Sequence, residues 1–501
     1  MISKIHLFAL WVGLAVIAWA FVYATDDSAK SVADWPQWAR TSLHNSSTHA
    51  FGQSPNVKLA DITYDPFVKQ EKAEASGELL AHYQVPLVDG NSAFLEYKTG
   101  KYVSCDPPSS GHPYPCGPDD WNTEIWNERA FIWKNGALVE AWNFSSDWKP
   151  EPNTDFGGQN HDGLFGWEPV FHAALWNGNV YVPGLGGTIY KVNEVNGKMV
   201  AHYNPFRSID PNRFVSGPLT IDAAGNVYYN VLELDAKNPW SVDVHNSWLV
   251  KVTSNGVVQK VSYAKLTTEG VSDGLQRPGV NISPAVSADG KTIYTASVAH
   301  FDTSDAYIIA VNSDLTPKWH TSLINLAQGQ ITGAIVDLSS ATPVALPDGN
   351  LLFGVLASGT NRGYMLKFSS AGQYLTSFDF GWDDTPAVYV HDGTYSVITK
   401  NNYYSSGPYY ITQLDADLVP EWSYESADNF EWCVNAPAVD ANGTVYADSE
   451  DGNLFVIKQG GTLKGQILLQ QAVGAAYTPV SIGLDGKIYT LNNGDMFVVG
   501  K

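Results

Sequence analysis

Cysteine is scarce in this 501-residue chain, which has only Cys105, Cys116 and Cys433. No C-x-x-C-H occurs, so a covalently attached c-type haem is excluded. Positive charge is also in short supply. Lys and Arg number 29 against 51 Asp and Glu, a formal net charge of −22 at pH 7. A role on a nucleic-acid backbone needs clustered cations to displace counterions, and this composition does not offer them. With 44% hydrophobic and 16% charged residues, the chain has apolar material for an extensive core and is not a disordered protein.

Long apolar runs are absent but for one. Lys4 precedes a near-continuous apolar stretch from Ile5 to Ala24, the signature of an export segment. Residues 1–24 are therefore expected to be a signal peptide, with small residues at Ala18 and Ala20 or at Val22 and Ala24 suited to cleavage, or a retained membrane anchor. Residues 25–501 are expected to form one exported domain. Cys105 and Cys116 flank a Pro-rich polar stretch, and a disulfide between them would staple that loop in an oxidising compartment. Cys433, beside Trp432, is expected to be buried and unpaired.

Self-similarity fixes the architecture. A proline followed by a small or branched apolar residue recurs at Pro86, Pro169, Pro218, Pro284, Pro343, Pro386, Pro437 and Pro479. Each is followed 8 to 12 residues later by an aromatic, from Phe94 and Tyr181 to Tyr446 and Tyr489. Two antiparallel strands and a tight turn require that spacing, and the intervening Asp, Asn and Gly, as in Asp440-Ala441-Asn442-Gly443, accept the positive φ of hairpin turns. A third strand of alternating apolar residues follows, then a fourth carrying Trp142, Tyr203, Tyr263, Trp319, Phe378 or Trp422. Four strands per unit and eight units predict an all-β, eight-bladed β-propeller of four-stranded antiparallel blades. The last unit has room for three strands, so the ring is expected to close with an N-terminal strand at Val57–Ile62.

The Pro-to-aromatic core, the opening Asp34-Trp35-Pro36-Gln37-Trp38 and strand ends such as Leu418-Val419-Pro420-Glu421-Trp422 resemble the pyrroloquinoline-quinone-like propellers, typified by quinoprotein alcohol dehydrogenases. The resemblance covers roughly residues 35–501. It implies the eight-bladed fold and, in the alcohol-dehydrogenase branch, a pyrroloquinoline quinone held between a Trp and a disulfide of two adjacent cysteines, with calcium bound by Glu, Asn and Asp. This chain has no adjacent cysteine pair.

With strands lettered A to D from the channel outward, the A–B and C–D turns are tight, and length variation falls in the B–C and D–A connections. Those connections share one face, which is expected to bear the binding surface. The aromatic-rich insertion at about 99–167 is its richest part. Trp121, Trp126 and Trp167, with Glu168, are the expected ligand-binding residues, since exposed rings cover the apolar faces of a hydroxylated ligand while polar groups address its hydroxyls. His161, Asp162 and His172 are the acid–base candidates, because imidazole and carboxylate titrate usefully near neutrality. No metal motif is matched, and Asp448-Ser449-Glu450-Asp451-Gly452-Asn453 reads as a B–C turn rather than a calcium loop.

Three functions fit these readings. The first is an exported non-catalytic propeller whose decorated face binds a protein or glycan partner, with no cofactor. The second is a polysaccharide lyase or hydrolase using His161 or His172. The third, implied by the resemblance, is a quinone- and calcium-dependent alcohol or sugar dehydrogenase. None involves nucleic acid, and membrane contact is expected only through the N-terminal segment.

Overall fold

A computed structural model describes residues 33–70, 84–102, 123–149, 171–234, 244–267, 276–279, 281–299, 302–335, 341–357, 362–381, 384–402, 407–426, 430–432, 434–470 and 479–501. They form eight antiparallel sheets, the blades of a β-propeller. Blade 1 is built from Leu87–Asp89, Ser92–Gly100, Glu124–Lys134 and Ala137–Ser145. Blade 7 repeats the plan with Ala438–Val439, Val445–Asp448, Asn453–Lys458 and Thr462–Leu468. Within a blade, the two middle strands bury continuous runs such as Leu-Phe-Val-Ile at 454–457, while outer strands alternate exposed and half-buried residues. Strands covered on both faces read as unbroken apolar segments for this reason.

Blade 8 supplies only Ser481–Ile482, Ile488–Asn492 and Asp495–Gly500 from the C-terminus. Its outermost strand is Val57–Thr63, antiparallel to Asp495–Gly500 with Val57 opposite Gly500 and Thr63 opposite Asp495. The expected ring closure is therefore present, and it pairs an edge that would otherwise offer free N–H and C=O groups. The register varies between blades: Tyr228 and Tyr489 lie opposite Thr220 and Ser481, two residues after their prolines, and Tyr395 opposite Val390, four after Pro386. Leu87 pairs with Phe94 and Ala438 with Tyr446, each one residue after its proline. In blade 2 the residue that pairs with Tyr181 is Ala174, so the repeat position is Ala173 and not Pro169. The inner strand needs no proline there, because its N-terminal neighbour His172 fixes the backbone by other means, described below.

Adjacent blades are joined by the fourth-strand aromatics. Trp142 packs on Phe94 and donates its indole N–H to the Glu194 carbonyl at 2.8 Å, in the C–D turn of the next blade. Trp319 does the same to Ser370 at 2.9 Å. The rings lie so close to the turn that a Cβ at Gly197 would fall 2.8 Å from Trp142, and one at Gly372 2.6 Å from Trp319. Both glycines also have positive φ, 68° and 81°, so the turn chemistry and the interblade packing make the same demand.

Residues 34–50 perform a task that no periodicity announced. Asp34 Oδ2 accepts from Leu484 N of blade 8 at 2.7 Å. Trp35 exchanges two backbone hydrogen bonds with Val88 of blade 1, and Pro36 O accepts from Leu175 N of blade 2. Gln37 bonds both backbone groups of Ile221 in blade 3, at 2.6 and 3.2 Å. The carbonyls of Ser42, Leu43, Asn45 and Ser46 then accept from Val286, Ala345, Val388 and Val439, in blades 4, 5, 6 and 7. A single segment thus touches the inner strand or inner turn of every blade. Its non-glycine residues Ala39, Arg40, His44 and Ser46 have positive φ, 46° to 70°, a conformation few side chains adopt unless their surroundings hold it.

Trp35 is completely buried in this clasp. Trp35→Ala is expected to cost about 3–5 kcal/mol, whereas Val195→Ala, at an 83% exposed turn position, should stay within about 0.5 kcal/mol of wild type. Chemical denaturation of the two variants checks both.

Candidate functional site at the channel mouth

The clasp bonds the inner strands near their A–B turns, so it occupies the plain-face end of the channel. What lies toward the loop-bearing face is set by the residues just before the repeat prolines. His44, at the centre of the clasp, locates the axis. Its Nε2 is 3.2 Å from Thr220 Oγ1 of blade 3, and its Nδ1 is 2.9 Å from Pro343 O and 3.0 Å from Thr342 Oγ1 of blade 5. Blades 3 and 5 are not neighbours, so a ring that touches both stands on the axis.

From His44 the hydrogen bonds run round the channel as a collar. Thr220 Oγ1 lies 2.7 Å from Ser283 Oγ of blade 4. In the other direction Thr342 N donates to Thr385 Oγ1 of blade 6 at 3.0 Å, and Thr385 N donates to Asn435 Oδ1 of blade 7 at 2.9 Å. Ser283, Thr342 and Thr385 each immediately precede a repeat proline, and the sequence pattern alone selects them. Burial lowers the His44 pKa to about 4, so the hub of the collar is an uncharged imidazole at neutral pH.

One residue nearer the loop-bearing face, ionisable groups begin. Asp384 is buried, and its Oδ2 accepts from Thr399 Oγ1 at 2.8 Å and from Lys400 N at 3.4 Å. Lys400 and, in blade 4, Arg277 are also fully buried. Lys400 pulls down the pKa of Glu431, which burial and Glu450 raise overall. Asn402 exchanges two hydrogen bonds with the backbone of Trp432, at 3.1 and 3.3 Å, tying blade 6 to blade 7 beneath this cluster. Asn281 Oδ1 is buried without a hydrogen-bond partner among the described residues. Asp384 and Lys400 with Glu431 and the hydroxyls and amides of the collar give blades 6 and 7 polar groups that suit an oxygen-rich ligand.

The residues expected from sequence fare unevenly. Trp121, His161, Asp162, Trp167, Glu168, Cys105 and Cys116 lie outside the described residues. Trp126 is no exposed platform: it is a blade-1 strand residue, 0% exposed, packed edge-on against Trp148 at 5.3 Å. The reason is pleat. Ile125, the neighbour that points the other way, is the exposed one. His172 is likewise no acid–base group in this structure. It is buried, its Nε2 accepts from Val85 N at 3.0 Å, and Nδ1 is 2.8 Å from Ala173 O. With both nitrogens engaged and its pKa lowered to about 4 by burial, it fixes the blade 1–2 seam as a neutral ring. The segment Asp448–Asn453 forms the expected turn, with Gly452 N donating to Ser449 O. Asp384, Lys400 and Arg277 escaped sequence reading, since a lone charge in a strand gives no sign of whether the ring buries it.

Comparison with known proteins places the fold. No protein-family model matches the chain, and no curated protein sequence does. Solved structures do. A europium-containing methanol dehydrogenase aligns over 91% of this chain and 89% of its own, with TM-score 0.55 and 12% identity. The quinohemoprotein alcohol dehydrogenase of Comamonas testosteroni aligns over 94% and 82%, with TM-score 0.59 and 12% identity. A quinohemoprotein alcohol dehydrogenase of Pseudomonas putida HK5 aligns over 94% and 76%, with TM-score 0.53 and 11% identity. The chain is thus an eight-bladed propeller with the fold of the quinoprotein alcohol dehydrogenases.

Because the pKa of His44 is depressed from 6.5 to about 4, its contribution to stability is complete above pH 6.5 and is lost as pH falls toward 4. His44→Gln should weaken the fold at neutral pH by about 1–3 kcal/mol and lose part of the wild-type acid sensitivity in that window. Urea denaturation at a series of pH values measures both effects.

Proposed function

We propose that the loop-bearing mouth of the channel is a ligand site and that its ligand is a planar, carboxylate-bearing quinone, making this chain an exported dehydrogenase of alcohols or sugars. The observation that carries the reading is buried Asp384, held by Thr399 Oγ1 and Lys400 N, beside the Thr385–Asn435 part of the collar at one end of the axis. Pyrroloquinoline quinone presents three carboxylates and two quinone oxygens, for which Lys400 and the hydroxyls of Ser283, Thr342 and Thr385 are the candidate partners. The side-chain carbonyl oxygens of Asn281 and Asn435 are the hard neutral donors that would be offered to a calcium ion partnering the quinone. The fold likeness to three dehydrogenases of alcohols supports the same reading.

The polar half of the cofactor is provided for, and the vicinal disulfide is not. The ring would therefore be held chiefly by its oxygens. When bound, the quinone supplies a two-electron acceptor for the alcohol carbon. The protein's part is to exclude water, orient the hydroxyl, and hold the departing proton; Asp384, fixed by Thr399, is the carboxylate placed for that last role. No C-x-x-C-H occurs in the chain, so electrons would leave to a separate acceptor. Export rests on the apolar segment 5–24; among the described residues no helix is long and apolar enough to cross a membrane.

The missing cysteine pair favours one other reading: the same mouth, without a quinone, binds a protein or glycan partner on the decorated face. Titration of the purified chain with pyrroloquinoline quinone and calcium, followed by tryptophan fluorescence and by dye reduction with alcohols and sugars, separates the two. Saturable quenching with dye reduction is expected, and Lys400→Met, which keeps the stem length, should weaken quinone binding at least about tenfold, the loss of one charge-assisted contact. Absence of both signals, with binding on a glycan array instead, would transfer the mouth to the non-catalytic reading.

A further inference from the structure

A second polar site lies one strand outward from the collar, in the seam between blades 1 and 2. Gln84, Glu96, Glu128 and His172, with apolar neighbours such as Phe94 and Phe171, line a cavity of about 10 Å³, the room of a single water molecule. Glu96 and Glu128 face one another across the ladder of Ser92–Gly100 and Glu124–Lys134, and both are buried, at 5% and 2% exposure.

The other acceptors on the cavity are already engaged. Gln84 Oε1 accepts from Glu96 N at 3.1 Å, and both nitrogens of His172 are taken. The Glu128 carboxyl alone has neither a hydrogen bond nor an ion pair among the described residues. The nearest buried cation on these strands is Lys98, two residues from Glu96, and it is held by Asp65 at 2.8 Å. Glu124 stands at the far end of the same ladder, opposite Gly100. A buried carboxyl facing a water-sized void cannot remain ionised without a partner.

We propose that this cavity holds one ordered water, hydrogen-bonded to a protonated Glu128 carboxyl and to the free amide of Gln84, and that the pair forms a pH-sensitive latch on the blade 1–2 seam. The direction of the ionisation agrees: burial alone raises the Glu128 pKa from 4.5 to about 8. The folded chain then keeps a proton that the unfolded chain releases above pH 4.5. The stabilisation is complete below pH 4.5, declines as pH rises, and is gone once pH passes about 8. The latch acts oppositely to His44 and His172, which weaken the fold on the acid side, so variants rather than the whole-protein profile reveal it.

The test compares the pH dependence of folding in wild type and Glu128→Gln, which is neutral at every pH and keeps the shape. Relative to Glu128→Gln, the folding constant of wild type should fall by up to about tenfold per pH unit between pH 4.5 and about 8. Parallel profiles would overturn the proposal. Should Glu128→Gln fail to fold, infrared spectroscopy with isotopically labelled glutamate decides. In the Glu124→Gln, Glu194→Gln double variant, which removes the other glutamates raised toward neutrality, a protonated-carboxyl band near neutral pH that vanishes in mild alkali before unfolding is expected, and its absence would refute the latch.

Discussion

Eight short inner strands present their free edges to a common axis, and a single segment of the chain satisfies one amide from each blade. That is the constraint from which the rest of the molecule follows. A propeller blade packs only on its two neighbours, so interblade contacts such as Trp142 on the Glu194 turn hold the ring locally. The closing strand Val57–Thr63 joins first to last. Among the described residues only 34–50 reach all eight blades at once, through backbone groups, the Gln37 amide and the Asp34 carboxylate, and such groups are costly to bury unpaired.

The clasp also decides where a ligand can go. It fills the plain-face end of the channel and, through His44, orients the hydroxyls of Thr220 and Thr342 above it. The other end is the one at which the B–C and D–A connections begin. There Asp384 is buried beside the collar with the Lys400 amide on its carboxylate, while in the floor Asp34 and Arg40 are spent on holding the clasp together. A rigid ring with a closed floor and a polar mouth is a sound frame for a cofactor, and the likeness to alcohol dehydrogenases concerns that frame rather than any shared set of side chains.

Much of the frame was legible in the sequence because it rests on periodic demands. Pro-to-aromatic spacing marks paired strands, Asp/Asn/Gly clusters mark hairpins, and the three-strand final unit calls for Val57–Ile62 to complete it. Ser283, Thr342 and Thr385 hold the same place, just before a repeat proline, and that place faces the channel. The clasp was not legible, since a segment that bonds to eight different partners has no period of its own; its only outward sign is a stretch without alternation in which Trp35, Trp38 and His44 are nonetheless buried. Trp126 and His172 were misplaced for a related reason. An aromatic or a histidine near a long insertion looks exposed in one dimension: Trp126 belongs to the strand Glu124–Lys134, and His172 stands next to Ala173, the repeat position that the pattern put at Pro169.

Hydrogen exchange at the eight clasped amides, those of Val88, Leu175, Ile221, Val286, Ala345, Val388, Val439 and Leu484, tests the central claim most directly. If residues 34–50 hold the ring as one unit, the eight share a single opening free energy, and Trp35→Ala lowers protection at all of them together. Exchange at eight unrelated rates, with Trp35→Ala affecting Val88 alone, would contradict it.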